Sequence, residues 1–175
     1  MFLFLLLSCL PNKVEEKELL ACDDSRAVVE SIKTLSEEQK DTASIIERDF
    51  DSLQIPKNIT AAAIVNAVSE SNLKPALIGD HGNSVGIFQL NKNGLGKKMT
   101  VEHRQDPHIN TMVVGVQVLK NQRLLERESE GASIPELTAI FTEEIMRPEN
   151  KDKKKITRAK LAKTIFPEEI LECEN

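Results

Sequence analysis

Residues 60–91 carry the side chains best suited to chemistry, and Glu70 is the first candidate. The pattern predicts an apolar helix that begins near Asn58 or Thr60 and ends before Pro75, because a residue that precedes a proline avoids the helical conformation. Glu70 therefore lies in the last helical turn, where the helix dipole and apolar packing disfavour an ionised carboxylate. A carboxylic acid that keeps its proton near neutral pH is suited to protonate a glycosidic oxygen.

A Gly- and Asx-rich turn and a short strand, predicted over residues 85–91, follow this helix and supply further candidates. Asp80 is either a second carboxylate that activates water as a general base or an ordinary turn residue. Alternation along the strand places Gln89 and Asn91 on one side, where the Gln89 amide could bind a substrate. Ser84 and Gln89 also have a purely structural interpretation, as a turn former and an exposed strand residue.

Two segments resemble the lysozyme-like superfamily, which includes goose-type lysozymes and soluble lytic transglycosylases. Glu70-Ser71-Asn72 followed by residues 84–90 (SVGIFQL) resembles the E-S … S-x-G-x-x-Q signature of that superfamily. Further along, residues 140–148 followed by Arg158 are similar to the F-x(n)-R/E-P … R-x-x-A ending of phage-tail-type lysozyme domains. The resemblance implies a mainly α (α+β) fold, with a lysozyme-like helical domain and a small β-hairpin next to the catalytic helix.

The resemblance also implies a function: cleavage of the β-1,4 bond between N-acetylmuramic acid and N-acetylglucosamine in peptidoglycan, with Glu70 as general acid. In a muramidase, a water molecule attacks the sugar with Asp80 as base. In a lytic transglycosylase, the muramyl 6-hydroxyl attacks and forms a 1,6-anhydro end. Transglycosylases of this superfamily usually have a tyrosine near the catalytic glutamate, and this chain contains no Tyr, which favours hydrolysis. The third alternative is a peptidoglycan-binding lipoprotein without activity, which the absence of Trp and Tyr would suit.

The composition indicates a globular protein, and its net charge argues against unspecific binding of nucleic acid; glycan strands of peptidoglycan are the partner that the resemblance implies. Of 175 residues, 40% are hydrophobic, and the net charge is −5, whereas unspecific nucleic-acid binding needs a basic surface. We expect a monomer with an N-terminal helical extension over residues 10–55 and the lysozyme-like catalytic domain over residues 56–175. The His and Cys residues do not have metal-ligand spacing, so we expect no metal and no cofactor.

The N-terminus resembles an export signal. Residues 1–9 form an apolar segment whose Leu6-Leu7-Ser8-Cys9 is similar to the bacterial lipobox that precedes a lipidated cysteine. This pattern predicts membrane anchoring through Cys9 and an exported protein, either a periplasmic or outer-membrane lipoprotein or a secreted one. The alternative is an ordinary apolar N-terminus.

The other two cysteines, Cys22 and Cys173, lie near opposite ends of the chain. An oxidising compartment would allow them to form a disulfide, and two unpaired thiols are the alternative.

Helices are also predicted on both sides of the central segment. Residues 13–53 are predicted to form two helices, with a break between them around residues 36–41. Asp106 and Pro107 begin a helix whose apolar stripe is predicted to face the core, and the stripe consists of Ile109, Met112, Val113, Val116 and Leu119. Ser133 and Glu136 form a capping box for the next helix, and a basic helix follows over residues 151–165.

Overall fold

Helices make up most of this computed structural model, which describes residues 27–167. The predictions for Cys9, Cys22, Cys173 and the N-terminal segment lie outside these residues. Seven α-helices and three short strands are present in the described part of the chain. The predicted class, mainly α with a small β-structure, is confirmed. The helices are α1 (Glu37–Ser52), α2 (Lys57–Ser71), α3 (Val101–Gln105), α4 (Pro107–Leu119), α5 (Gln122–Ser129), α6 (Ile134–Phe141) and α7 (Lys151–Ile165).

Local sequence determines where several of these helices begin. Helix α1 begins after a capping box in which the Ser36 side chain accepts from Gln39 N and the Gln39 side chain accepts from Ser36 N. Helix α4 begins as predicted, because the Asp106 side chain caps its first turn. The capping box predicted at Ser133 does not form. Its partner Glu136 instead accepts from Arg127 Nη2 at 2.6 Å, since α5 lies close by.

Helix α2 is the centre of the hydrophobic core. Every residue from 59 to 67 is buried, because α2 packs against α1, α6 and α7. The alanines of this segment have small side chains, which allow the neighbouring helices to approach closely. The segment before residue 56 contributes Ile46 and Phe50 to the same core, each with 0% exposure. Residues 28–55 therefore share one core with the rest of the described chain.

The β-structure is a three-stranded antiparallel sheet in the order β1 (Ile78–Gly79), β2 (Ser84–Val85) and β3 (Leu90–Asn91). The prediction of one continuous strand over residues 85–91 is wrong, because a turn over residues 86–89 separates β2 from β3. Ile87 and Phe88 are both fully buried, which strict alternation cannot produce. The chain bends here because Gly86 (φ 88°) and Gln89 (φ 47°) adopt positive φ values.

Helix α4 faces the core with the side opposite to the one predicted. Its buried residues are Asn110, Thr111, Val114, Gly115 and Val118. Of the predicted stripe, Ile109, Met112, Val116 and Leu119 are exposed and Val113 is partly buried. The helix is apolar on nearly every side, so periodicity alone could not identify the buried face. None of the helices within residues 27–167 has the length and hydrophobicity needed to cross a membrane.

Candidate functional site

One groove of about 620 Å³ contains all five predicted site residues. The end of α2 contributes Glu70, and the β-hairpin region contributes Asp80, Ser84, Gln89 and Asn91. The groove is completed by Asn83, by the turn from Arg147 to Asn150 and by Lys154 in the first turn of α7. Elements that are far apart in sequence therefore contribute to one site.

Glu70 is held at the edge of the groove by an ion pair. It lies in the last turn of α2, as predicted, and the helix ends where Asn72 adopts a left-handed conformation (φ 55°). Its Oε1 accepts a hydrogen bond from Arg158 Nη2 at 2.5 Å. The side chains are 16% exposed for Glu70 and 2% for Arg158. The second oxygen, Glu70 Oε2, receives no hydrogen bond from the described residues.

Arg158 is a buried side chain whose other two nitrogens also donate hydrogen bonds. Its Nε donates to Ser69 Oγ at 3.1 Å and its Nη1 donates to Asn66 Oδ1 at 2.7 Å. Asn66 is buried in α2 and also accepts from Thr142 Oγ1 at 2.9 Å. This network connects the Glu70 carboxyl to the core and restricts its orientation.

The surroundings of Glu70 differ from those expected. We predicted apolar neighbours, whereas α7 places a cation against the carboxyl from 88 residues further along the chain. Helix periodicity around Glu70 contains no information about a contact of this range. The one signal in the sequence is the weaker motif that includes Arg158, and it did not indicate which residue the arginine contacts.

Asp80 belongs to a chain of hydrogen bonds within the hairpin. Ser84 Oγ donates to Asp80 Oδ2 at 2.6 Å, and Asn91 Nδ2 donates to Ser84 Oγ at 3.2 Å. Asp80 is exposed, whereas Ser84 is 5% exposed. Asp80 and His81 both have positive φ values, 48° and 53°, which are uncommon for residues other than glycine. Ser84 therefore orients the Asp80 carboxylate at the groove.

Gln89 lines the groove, but its amide nitrogen is bound to the hairpin itself. Its Nε2 donates to Leu77 O at 3.1 Å and to Gly86 O at 2.9 Å. The two hydrogens of that nitrogen are therefore used to stabilise the turn. Of the groups that could bind a substrate, the amide nitrogen of Gln89 is the least available.

Two buried residues that sequence reasoning missed hold the hairpin in place. Arg104 of α3 is 3% exposed, and its Nη1 donates to Asn83 O at 2.7 Å and to Leu90 O at 3.0 Å. Asn110 of α4 is fully buried and accepts from Phe88 N at 3.0 Å. Both lie outside the motifs: Arg104 is in a short helix that was not predicted, and Asn110 is in α4, whose buried face periodicity could not identify.

The wall formed by the turn after α6 depends on charged side chains. Residues Thr142–Met146 form a π-helical segment that leads to Arg147. Within it, Glu143 pairs with Lys155 at 3.1 Å and with Arg123 at 3.3 Å. The pKa of Glu143 is lowered, mainly by the hydrogen bond from Lys155. The ionised form of Glu143 therefore helps to hold this wall against α7.

Replacing Glu143 with glutamine is expected to destabilise the protein at pH 7 and to have a smaller effect in acid. The ordinary pKa of the carboxyl is 4.5, and the folded value is lower, so the ionised form stabilises the fold above pH 4.5. This stabilisation is lost as the pH falls through the folded pKa. Urea unfolding of both proteins, repeated in steps from pH 7 to about pH 2.5, measures the difference. A difference that does not change with pH would contradict this role for the charge.

Comparisons with known proteins leave the superfamily resemblance as an inference from the motifs. No protein-family model, no curated protein and no solved structure matches this chain.

Proposed function

We propose that this protein cleaves the β-1,4 bond between N-acetylmuramic acid and N-acetylglucosamine in peptidoglycan, with Glu70 as general acid. The observation that supports this most directly is the groove that the Glu70 and Asp80 carboxyl groups both line. One oxygen of Glu70 is fixed by Arg158, and the other has no hydrogen-bond partner among residues 27–167. Two carboxyl groups beside one open groove are what glycoside hydrolysis requires.

In this mechanism the proton is carried by Glu70 Oε2. It is transferred to the glycosidic oxygen as the bond to the anomeric carbon breaks, and the sugar develops oxocarbenium character. Arg158 lies beside the carboxylate that forms when Glu70 loses its proton. Asp80, oriented by Ser84, takes a proton from the water that attacks the anomeric carbon. The product has a reducing N-acetylmuramic acid end.

The proposal is tested by digesting purified peptidoglycan and weighing the soluble fragments by mass spectrometry. We expect reducing-end fragments from the wild type and a rate lower by about 10²–10⁴-fold for Glu70→Gln, the usual contribution of a general acid. Glutamine keeps an oxygen that can accept from Arg158, so the variant should fold. Unfolding curves serve as the control and should show that both proteins are fully folded under the digestion conditions.

Other outcomes would identify the alternatives. Fragments with 1,6-anhydro ends would indicate a lytic transglycosylase. Glycan binding without any fragment that depends on Glu70, on acetylated and deacetylated walls alike, would overturn the enzyme and favour a binding protein.

A further inference from the structure

Two basic side chains that line the groove, Arg147 and Lys154, form no ion pair with any carboxylate among the described residues. Other cations of the same region are paired, because Lys155 and Arg123 both contact Glu143. Arg147 and Lys154 are also exposed. Two positive charges are therefore available to a ligand in the groove.

Arg147 is held in a conformation that its local sequence disfavours. It ends the π-helical segment with φ 48° and ψ 51°, in the left-handed region. An arginine has no preference for this region, and the following Pro148 favours an extended conformation instead. The conformation is maintained by hydrogen bonds from Arg147 N to Thr142 O at 3.0 Å and from Arg147 Nε to Glu144 O at 2.7 Å. Backbone outliers of this kind are concentrated at ligand-binding sites.

We propose that Arg147 and Lys154 bind a carboxylate group carried by the glycan strand, and this rests on the proposed function. An arginine guanidinium matches a carboxylate with paired donors, and a lysine adds a second positive charge. The catalytic bond and the bound carboxylate would then lie in the same groove, since Glu70 lines it too. The preferred substrate is an acidic glycan, as opposed to a neutral polymer of N-acetylglucosamine.

Peptidoglycan offers this carboxylate from two sources. Intact strands carry peptides with free carboxylates, and the lactyl group of muramic acid is then in an amide bond. Strands stripped of peptide by an amidase expose the lactyl carboxylate instead. Oligomers of N-acetylglucosamine have neither group. Comparing intact strands, stripped strands and these oligomers therefore shows which carboxylate is bound and how much binding comes from the sugars alone.

The groove wall also contains a negative charge, that of Glu149. It lies on the same turn as Arg147, so the wall is not uniformly basic. If a carboxylate binds at this wall, removing the charge of Glu149 should maintain or improve the binding of acidic glycans. Glu149→Gln is therefore a control: it should leave the binding of acidic glycans unchanged or tighten it, whereas removing Arg147 and Lys154 should weaken it.

Binding of soluble fragments of the three ligands is measured by calorimetry in the Glu70→Gln background, in which the proposed cleavage is slowed. The test variant adds Arg147→Gln and Lys154→Gln. Its matched control adds Lys153→Gln and Lys160→Gln, which remove the same charge from α7 residues that do not line the groove. We expect the test variant to weaken binding of acidic fragments by about tenfold or more, the range for hydrogen bonds to charged groups, and not to change binding of the neutral oligomers.

The ligand that binds more weakly to the test variant identifies the source of the bound carboxylate. A loss confined to peptide-bearing fragments identifies the peptide carboxylates, and a loss confined to stripped fragments identifies the lactyl carboxylate. Equal affinities in the test variant and its control, or no binding of any acidic fragment, would overturn the proposal. Failure of the proposed function is a separate result, because it is read from wild-type digestion and not from binding.

Discussion

Replacing Arg158 with methionine is expected to lower the free energy of unfolding by about 3–5 kcal/mol, the usual cost of breaking a buried ion pair from one side. Arg158 is 1% exposed, and its donors contact Glu70, Asn66 and Ser69. Methionine fills much of the volume but leaves these acceptors without their donors. The Glu70 carboxyl, 16% exposed, can turn partly to water, so the lower end of the range is expected.

Urea unfolding of the wild type, of each single variant and of the double variant Glu70→Gln/Arg158→Met measures the effect as a double-mutant cycle. The double variant should lose less stability than the sum of the two single losses, because either single change already removes the charge interaction between the two side chains. Lys160→Met is the control: it removes an exposed positive charge from the same helix, α7, and its effect should stay within about 0.5 kcal/mol. Additive losses in the cycle would show that the ion pair does not couple the two residues.

Replacing Gly86 with alanine is expected to cost at least about 2 kcal/mol and to displace the hairpin that carries Ser84 and Gln89. An added Cβ would lie 2.1 Å from Arg104 O and 2.2 Å from Asn110 Nδ2, distances at which atoms must move. Arg104 O already accepts from Asn110 Nδ2 at 2.7 Å, so the extra carbon would separate the two groups. Denaturant unfolding measures the stability. Digestion of peptidoglycan, the proposed substrate, measures the accompanying loss of the proposed activity.

The variant Gly82→Ala distinguishes the two causes of the lost stability at Gly86, which are backbone strain and steric overlap of the added Cβ. Gly82 has φ 90° and Gly86 has φ 88°, so both substitutions impose nearly the same backbone strain. A Cβ at Gly82 would have no atom within 4 Å, so its cost is limited to the strain, about 1–2 kcal/mol. The difference between the two alanine variants therefore reports the packing of Gly86 against α3 and α4. Equal losses would contradict the close contact described for Gly86.

Much of the candidate site was predictable because its signals are local. The end of α2, and with it the place of Glu70 in the last turn, follows from the residues before Pro75. The beginning of α4 follows from Asp106 and Pro107 in the same way. The turn predicted around Asp80 is present, and the small β-structure that the resemblance implied lies beside the helix, although its strands contain only two residues each.

The partners of these residues were not predictable, because they come from distant parts of the chain. Arg158 is 88 residues from Glu70, and no pattern near either residue indicates that they meet. Asn110 binds Phe88 N across 22 residues, and this contact accompanies the turn that breaks the predicted strand. The buried face of α4 was also undetermined, since apolar residues lie on both sides of that helix.

The amino-acid sequence by itself determined the helical class, the end of α2, the beginning of α4 and the set of candidate residues that line the groove. These properties depend on backbone preferences and side chains within a few turns of one another. Only the tertiary structure decided that Glu70 pairs with a buried cation, that Arg104 and Asn110 hold the hairpin, and that Arg147 and Lys154 line the groove. These contacts form when separate helices pack, because burial then leaves each polar group only the partners that the packing provides.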